Sequence, residues 1–198
     1  MGAIATAFAY PVLHSQRVFR TVMDAMARPG LPRRLEFDLS PPAPLGHGAA
    51  AVALTLLDFE TPIWIDEHLS GSPDVSRWIQ FHTGAPRAAA YGNAAFAFFS
   101  HGATLPTLSD FATGTAEYPD RSTTIIAEIA SFEIGAPLRL TGPGIDGARS
   151  FAPASLPDDF ILQWRDNHAL FPCGVDLLLV AGDWIAALPR STRIEAGS

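Results

Sequence analysis

Short apolar runs alternate along this chain with longer segments of helical periodicity, and that alternation constrains the fold more than any other feature. The runs Pro62 to Ile65, Phe96 to Phe99 and Val175 to Val180 indicate short buried strands. Helical segments lie between them. Strands alternating with helices favour an α/β fold, so we expect three layers around a mixed, mainly parallel sheet.

The helical segments are recognised by apolar residues three and four positions apart and by their end signals. The first ends at Arg28-Pro29-Gly30, because a residue before proline resists the α conformation. We expect Arg28 to meet the last carbonyls of that helix and Met23 and Met26 to fill the core. The predicted helices are His14 to Ala27, Ala49 to Leu57, Pro73 to Phe81, Leu105 to Phe111 and Leu156 to Ala169.

Further strands are predicted from alternation and from apolar content. They are Arg34 to Leu39, Thr123 to Phe132, Pro137 to Thr141 and Trp184 to Leu188.

The strands Val175 to Val180 and Trp184 to Leu188 flank Ala181-Gly182-Asp183, which predicts an antiparallel hairpin. If Ala181 faces Trp184, then Asp176 lies one step from Arg190. We therefore predict that Asp176 and Arg190 form a structural clasp at the open end of the hairpin.

Composition limits the chemistry available. The chain has 198 residues, which suits a single domain over residues 1–198. Its net charge of −7 argues against nucleic acid as the main partner. All thirteen cations are arginine, so without lysine there is no Schiff base to pyridoxal phosphate and no P-loop lysine. We expect no cofactor, and any bound anion must be held by arginine, hydroxyl or backbone N–H groups.

Cysteine and histidine usage narrows the class further. One cysteine excludes an intrachain disulfide and thiolate zinc sites, and it fits a reducing, cytoplasmic setting. The six histidines show no metal-binding spacing, so no metal site is predicted. No apolar run is long enough to span a membrane.

Four groups of polar residues are candidates for a site. His101 directly follows the run Phe96 to Phe99 and could move a proton or bind phosphate. Asp58 and Glu60 could form an acid pair, but they precede a strand, so a turn or an interface is the alternative. His82 follows a helix and could simply bond the nearby turn. Cys173 could pair with His168, or be an inert turn residue, which we favour.

The remaining candidates could bind an anion. Arg121 and Ser122 combine a guanidinium with a hydroxyl, and the alternative is a solvated turn. Gly142 and Gly144 could let the backbone approach a phosphate, although a plain turn is favoured. In the tail, Arg190 and Thr192 could line an anion pocket.

Six stretches together resemble one family. They are FRTVMDAMARPG (19–30), LTLLDFETPIW (54–64), FHTGAP (81–86), YPDRSTT (118–124), LTGPGI (140–145) and FPCGVDLLLVAGDWIAALPRSTRI (171–194). Their order and spacing are similar to those of the H subunit of the carbon–phosphorus lyase core complex, used by bacteria to metabolise phosphonates. No single stretch is diagnostic, but together they cover nearly the whole chain.

The resemblance implies a fold similar to pyridoxal-phosphate-dependent transferases without the cofactor. It implies the G, I and J subunits as partners, and a homodimer in isolation. In that family the complex, together with an accessory ATPase-like subunit, joins a phosphonate to the ribose of ATP, releasing adenine and leaving ribose 1-phosphonate 5-triphosphate. The resemblance implies an accessory, non-catalytic role for this chain. Two alternatives remain: an enzyme or binder that holds a phosphorylated or phosphonylated metabolite through arginine and His101, and a homodimeric scaffold.

Overall fold

A computed structural model describes residues 4–197. The strands are β1 (Arg33–Arg34), β2 (Ile63–Ile65), β3 (Phe96–Phe99), β4 (Thr124–Glu128), β5 (Leu138–Thr141), β6 (Arg149–Phe151), β7 (Asp176–Ala181), β8 (Trp184–Leu188) and β9 (Arg193–Ala196). The helices are α1 (Pro11–Ala27), α2 (His47–Leu56), α3 (Glu67–Ser70), α4 (Pro73–Thr83) and α5 (Phe160–Ala169).

The main sheet has six strands in the order β1-β8-β7-β4-β3-β2. The pairs β2–β3, β3–β4 and β4–β7 are parallel, whereas β8 is antiparallel to both of its neighbours. The prediction of a mixed, mainly parallel sheet is therefore confirmed. The hairpin register is also confirmed, since Ala181 pairs with Trp184.

Both faces of the main sheet are covered. Because successive strand residues point to opposite faces, Ile126 and Leu178 join one core with α1, α2 and α4, and Ile125 and Leu177 join a second core. The second core also contains α5 and a three-stranded antiparallel sheet in the order β6-β5-β9. The layers are therefore helices, main sheet, and a mixed third layer.

The prediction of a strand over Arg34 to Leu39 is wrong. Only Arg33 and Arg34 pair with β8, because Arg34 lies opposite Trp184, the first residue of that strand. Before Trp184 the chain turns from β7 into β8 at Gly182-Asp183, so β8 offers no further residues for pairing. The alternation reflects burial of Leu35 and Leu39 rather than strand pairing.

Other boundaries and contacts also differ from the predictions. The segment Leu105 to Phe111 holds only a 3₁₀ turn at Leu108–Asp110, and α5 begins at Phe160 rather than Leu156. The elements α3, β6 and β9 were not predicted from the sequence, nor was the second sheet to which β5 belongs.

Two expectations for the end of α1 are also wrong. Met23 is exposed, while Met26 does pack against the core. The Arg28 guanidinium pairs with Asp24 instead of the helix carbonyls. The helix nevertheless ends where predicted, at Ala27.

Candidate functional site

Polar side chains gather where the parallel strands of the main sheet end. Asp66 follows β2, Ser100 and His101 follow β3, and Glu128 is the last residue of β4. In α/β sheets this carboxyl edge is where ligands usually bind. Two clefts of about 510 and 360 Å³ lie here, and His101 lines both.

Asp66 fixes the loop that carries His101. Its carboxylate is buried; one oxygen accepts the backbone N–H of Leu69 at 2.8 Å and thereby caps α3. The other oxygen accepts the backbone N–H and the hydroxyl of Ser100, at 2.8 and 2.6 Å. Asp66 thus holds the ends of β2 and β3 together, and His101 projects from a fixed point.

Glu128 lies at the neighbouring strand end, against the start of α2. Its Oε1 accepts the backbone N–H of Gly46 at 2.9 Å. Burial raises the pKa of Glu128, and the nearby Asp66 carboxylate raises it further, while the Gly46 N–H, His101 and His47 act in the opposite direction. The carboxyl group is therefore easier to protonate than an ordinary glutamate.

The character of these clefts limits the ligands they suit. None of the residues described along either cleft is an arginine, whereas carboxylates, histidines and the aromatic rings of Trp64 and Phe99 are present. Such a lining suits a ligand that donates hydrogen bonds, through hydroxyl or amine groups, better than a phosphate or phosphonate. Within residues 4–197 no group of three or more His, Cys, Asp or Glu is placed to hold a metal ion.

The clasp lies at the opposite edge, beside the amino ends of β4 and β7. The Arg190 guanidinium contacts both carboxylate oxygens of Asp176, at 2.5 to 3.2 Å, and the Asp176 carboxylate also accepts the Arg190 backbone N–H at 2.7 Å. The contact follows from the hairpin register, as predicted. The guanidinium also donates to the carbonyls of Pro119 and Pro172 and to Ser122 Oγ.

These contacts occupy the donors that Arg190 would need for an anion, because its Nε, Nη1 and Nη2 all have protein acceptors. The two side chains are also largely shielded from solvent, at 14% exposure for Arg190 and 12% for Asp176. Ser122 is buried against the same guanidinium. The arrangement therefore ties two strand ends and a loop together.

The other anion candidates do not converge with Arg190 on one open pocket. Arg121 is exposed and stacks on the Tyr118 ring, with its central carbon 4.0 Å from the ring centre. Thr192 is fully buried, and its carbonyl accepts the indole N–H of Trp164 at 2.8 Å. Gly144 packs directly over the carbonyl of Ala27, and Gly142 packs over the backbone at Ser191.

Two other sequence candidates, His82 and His168, have structural partners, and Cys173 is not among those partners. His82 Nε2 lies 2.9 Å from the carbonyl of Ala5. His168 has contacts at both ring nitrogens, with the Arg190 carbonyl and with the Arg193 side chain, and neither contact involves Cys173. Cys173 is half-buried in the turn before β7.

Asp58 and Glu60 form an exposed turn at the amino edge of the sheet, away from the clefts. The Thr61 hydroxyl, 2.6 Å from the Asp58 carboxylate, and the Glu60 backbone N–H lower the pKa of Asp58. These bonds are typical of an Asx turn.

Glu128, Asp66 and His47 were not among the site residues predicted from the sequence. A usable signal existed for the first two, since each is an acid at the carboxyl end of an apolar strand, the rule that selected His101. No sequence pattern places His47 beside them, because α2 reaches this edge only through tertiary packing.

The architecture defines an α/β protein with two cores, a carboxyl-edge cleft and a closed clasp at the amino edge. Among the described residues no helix has the length and apolar character needed to cross a membrane.

The chain belongs to the family described as bacterial phosphonate metabolism protein (PhnH), whose family model matches residues 6–195. It is 49% identical over 189 residues to the alpha-D-ribose 1-methylphosphonate 5-triphosphate synthase subunit PhnH of Rhizobium meliloti (strain 1021), covering 96% of this chain and 94% of the relative. It is 30% identical to a Stutzerimonas stutzeri protein named "Putative C-P lyase subunit protein HtxG", covering 91% and 85% of the two chains.

Proposed function

We propose that this chain is the H-type subunit of a carbon–phosphorus lyase core complex, acting in the synthesis of ribose 1-methylphosphonate 5-triphosphate. The observation that carries the proposal is the 49% identity across 96% of the chain to a relative named as a subunit of that synthase. The G, I and J subunits are its proposed partners, in the cytoplasm, and in isolation the chain forms a homodimer.

The proposed role is accessory rather than catalytic. Arg190 and Ser122, which were candidates for anion binding, are used in the clasp, and Thr192 is buried. The clefts at the carboxyl edge lack arginine along their described lining, although the reaction handles a triphosphate and a phosphonate. The phosphorus groups are accordingly expected to bind on other subunits.

The fold is proposed to be similar to that of pyridoxal-phosphate-dependent transferases, without the cofactor. The mixed sheet covered on both faces is compatible with that likeness. The sequence has no lysine to anchor the cofactor.

Reconstitution tests the proposed function. Purified G, I and J subunits, with the accessory ATPase-like subunit, are mixed with ATP and methylphosphonate, with and without this chain. Adenine release is measured by chromatography. We expect release to fall at least about tenfold when the chain is omitted and to return when it is added back. Release at the full rate without the chain would contradict the proposal.

A second candidate function is ligand binding at the carboxyl edge of the main sheet. It is favoured by Glu128 and His101, which together line the cleft of about 360 Å³. Calorimetry with adenosine, ATP and methylphosphonate tests it. A ligand of this site should lose affinity in Glu128→Gln and His101→Ala but not in His82→Ala, whose ring lies outside the clefts. Equal affinity in all variants, or no binding, would refute a site here.

A further inference from the structure

Helix α1 carries an apolar line on its solvent side. Val12, Phe19 and Met23 are 86%, 48% and 52% exposed. They are seven and four residues apart, so they lie along one stripe of the helix. The stripe is about 16 Å long at 1.5 Å per residue.

This spacing is typical of a helix that packs against another helix. Side chains seven and four residues apart form the seam of paired helices, where each fits between residues of the partner. The buried face of α1 is a different one, formed by Val18, Val22 and Ala25. The line therefore is additional to the side that holds α1 on the sheet.

The surroundings of the line are basic, in contrast to the rest of the chain. Residues 10–38 contain five arginines and three acids, a net charge of +2. The whole chain carries −7, which leaves −9 for the other residues. Of these acids, Asp24 pairs with Arg28 and Arg33, and Glu36 lies 4.0 Å from Arg17.

Arg20 is the charged residue available beside the line. It is exposed and forms no ion pair with any residue in the described part of the chain. A partner with carboxylates next to its apolar side chains would meet Arg20 favourably. A second copy of this chain would instead bring Arg20 against the same arginine, which is repulsive.

We propose that the Val12–Phe19–Met23 line of α1 docks an acidic amphipathic helix of another subunit of the complex. The proposal rests on the proposed function for the existence of such a partner, and it adds the surface and the chemistry of the contact. Apolar side chains supply the buried centre, and Arg20 supplies register and charge selection.

Affinity measurements with purified partners test the surface. The purified assembly of G, I and J subunits is titrated onto the immobilised chain, and binding is followed by interferometry. We expect Phe19→Glu and Met23→Glu each to weaken binding at least about tenfold, as for a central apolar contact. Leu162→Glu, at an equally exposed leucine on α5, is the matched control and should bind as wild type does.

Charge variants separate an acidic partner from a merely apolar one. Arg20→Glu should weaken binding about fivefold or more at low salt and less at high salt, and Arg20→Lys should retain most of the affinity. A photocrosslinking amino acid in place of Met23 should label a helical, net-negative segment of one partner subunit. Circular dichroism and urea unfolding check that each variant is folded.

The outcomes distinguish the two proposals. If the wild-type chain binds no G, I or J subunit, the proposed function itself fails. If it binds and the α1 variants bind equally well, the docking surface is wrong while the proposed function stands. Crosslinking to a second copy, or Phe19-dependent sedimentation with phosphatidylserine vesicles, would also overturn an acidic helix as the occupant.

Discussion

Removing one member of the Asp176–Arg190 clasp should destabilise the protein severely. In Asp176→Ala the Arg190 guanidinium, 14% exposed, loses its counter-ion and the acceptor of two of its nitrogens. The Arg190 backbone N–H loses its acceptor as well. Breaking one side of a buried ion pair costs about 3–5 kcal/mol, and we expect a loss of that size in the free energy of unfolding.

The losses of unfolding free energy in the two single variants should not add up in the double variant. Once Arg190 is also replaced, no unpaired charge is left buried, so Asp176→Ala/Arg190→Ala should cost less than the sum of the two single variants. The expected coupling is about 2 kcal/mol or more. The solvent-exposed pair Arg139–Glu195, with exposures of 52% and 67%, is the matched control. Its single variants should cost about 0–1 kcal/mol.

Urea unfolding followed by tryptophan fluorescence provides the measurement. Asp176→Asn keeps an oxygen acceptor for the Arg190 backbone N–H, so its stability should lie between those of wild type and Asp176→Ala. It replaces the alanine variant in the measurement if that variant does not fold. A loss below about 1 kcal/mol in Asp176→Ala, or strict additivity in the double variant, would refute a buried clasp.

Two further predictions concern Glu128 and the glycine turn. Because burial raises the pKa of Glu128 above its ordinary 4.5, the native state binds a proton more tightly than the unfolded state, and stability falls as pH rises through this range. Glu128→Gln can keep the hydrogen bond from the Gly46 N–H, but it removes this pH dependence of stability. Its free energy of unfolding relative to wild type, measured by urea unfolding, should therefore increase from pH 4 to pH 8. Parallel pH profiles of the two proteins would contradict a raised pKa for Glu128. Gly147→Ala, at φ 65° in open space, should cost about 1–2 kcal/mol. Gly144→Ala, at φ 78°, should lower the free energy of unfolding by about 1–3 kcal/mol more than Gly147→Ala does, because its Cβ would strike the Ala27 carbonyl. Equal decreases of the melting temperature in the two variants would argue against that contact.

Elements with strong local signals were predictable. The end of α1 at Ala27 follows from Arg28-Pro29-Gly30, and the β7–β8 register follows from Ala181-Gly182-Asp183. Since register is fixed once the turn is known, the Asp176–Arg190 contact could be derived without coordinates. Long-range pairing could not: β5 joins β9 more than fifty residues away, and no local pattern specifies that partner.

The candidate site was predictable only where one strand end was enough. His101 was selected because it follows β3, and it does lie at the carboxyl edge. Burial and the Asp66 carboxylate raise the pKa of Glu128, and both come from segments far from it in sequence, so this environment exists only in the folded chain. The number of donors left to Arg190 likewise depends on Pro119 and Ser122 in the loop before β4 and on Pro172 in the turn before β7.

The sequence by itself determined the α/β class, the hairpin register and the absence of lysine chemistry, because these depend on periodicity, turn residues and composition. Tertiary structure alone decided which polar groups are shielded and which remain open. Burial and hydrogen-bond partners come from segments far apart in sequence. For that reason the Asp176–Arg190 pair is a closed clasp, and Glu128 and His101 border open clefts.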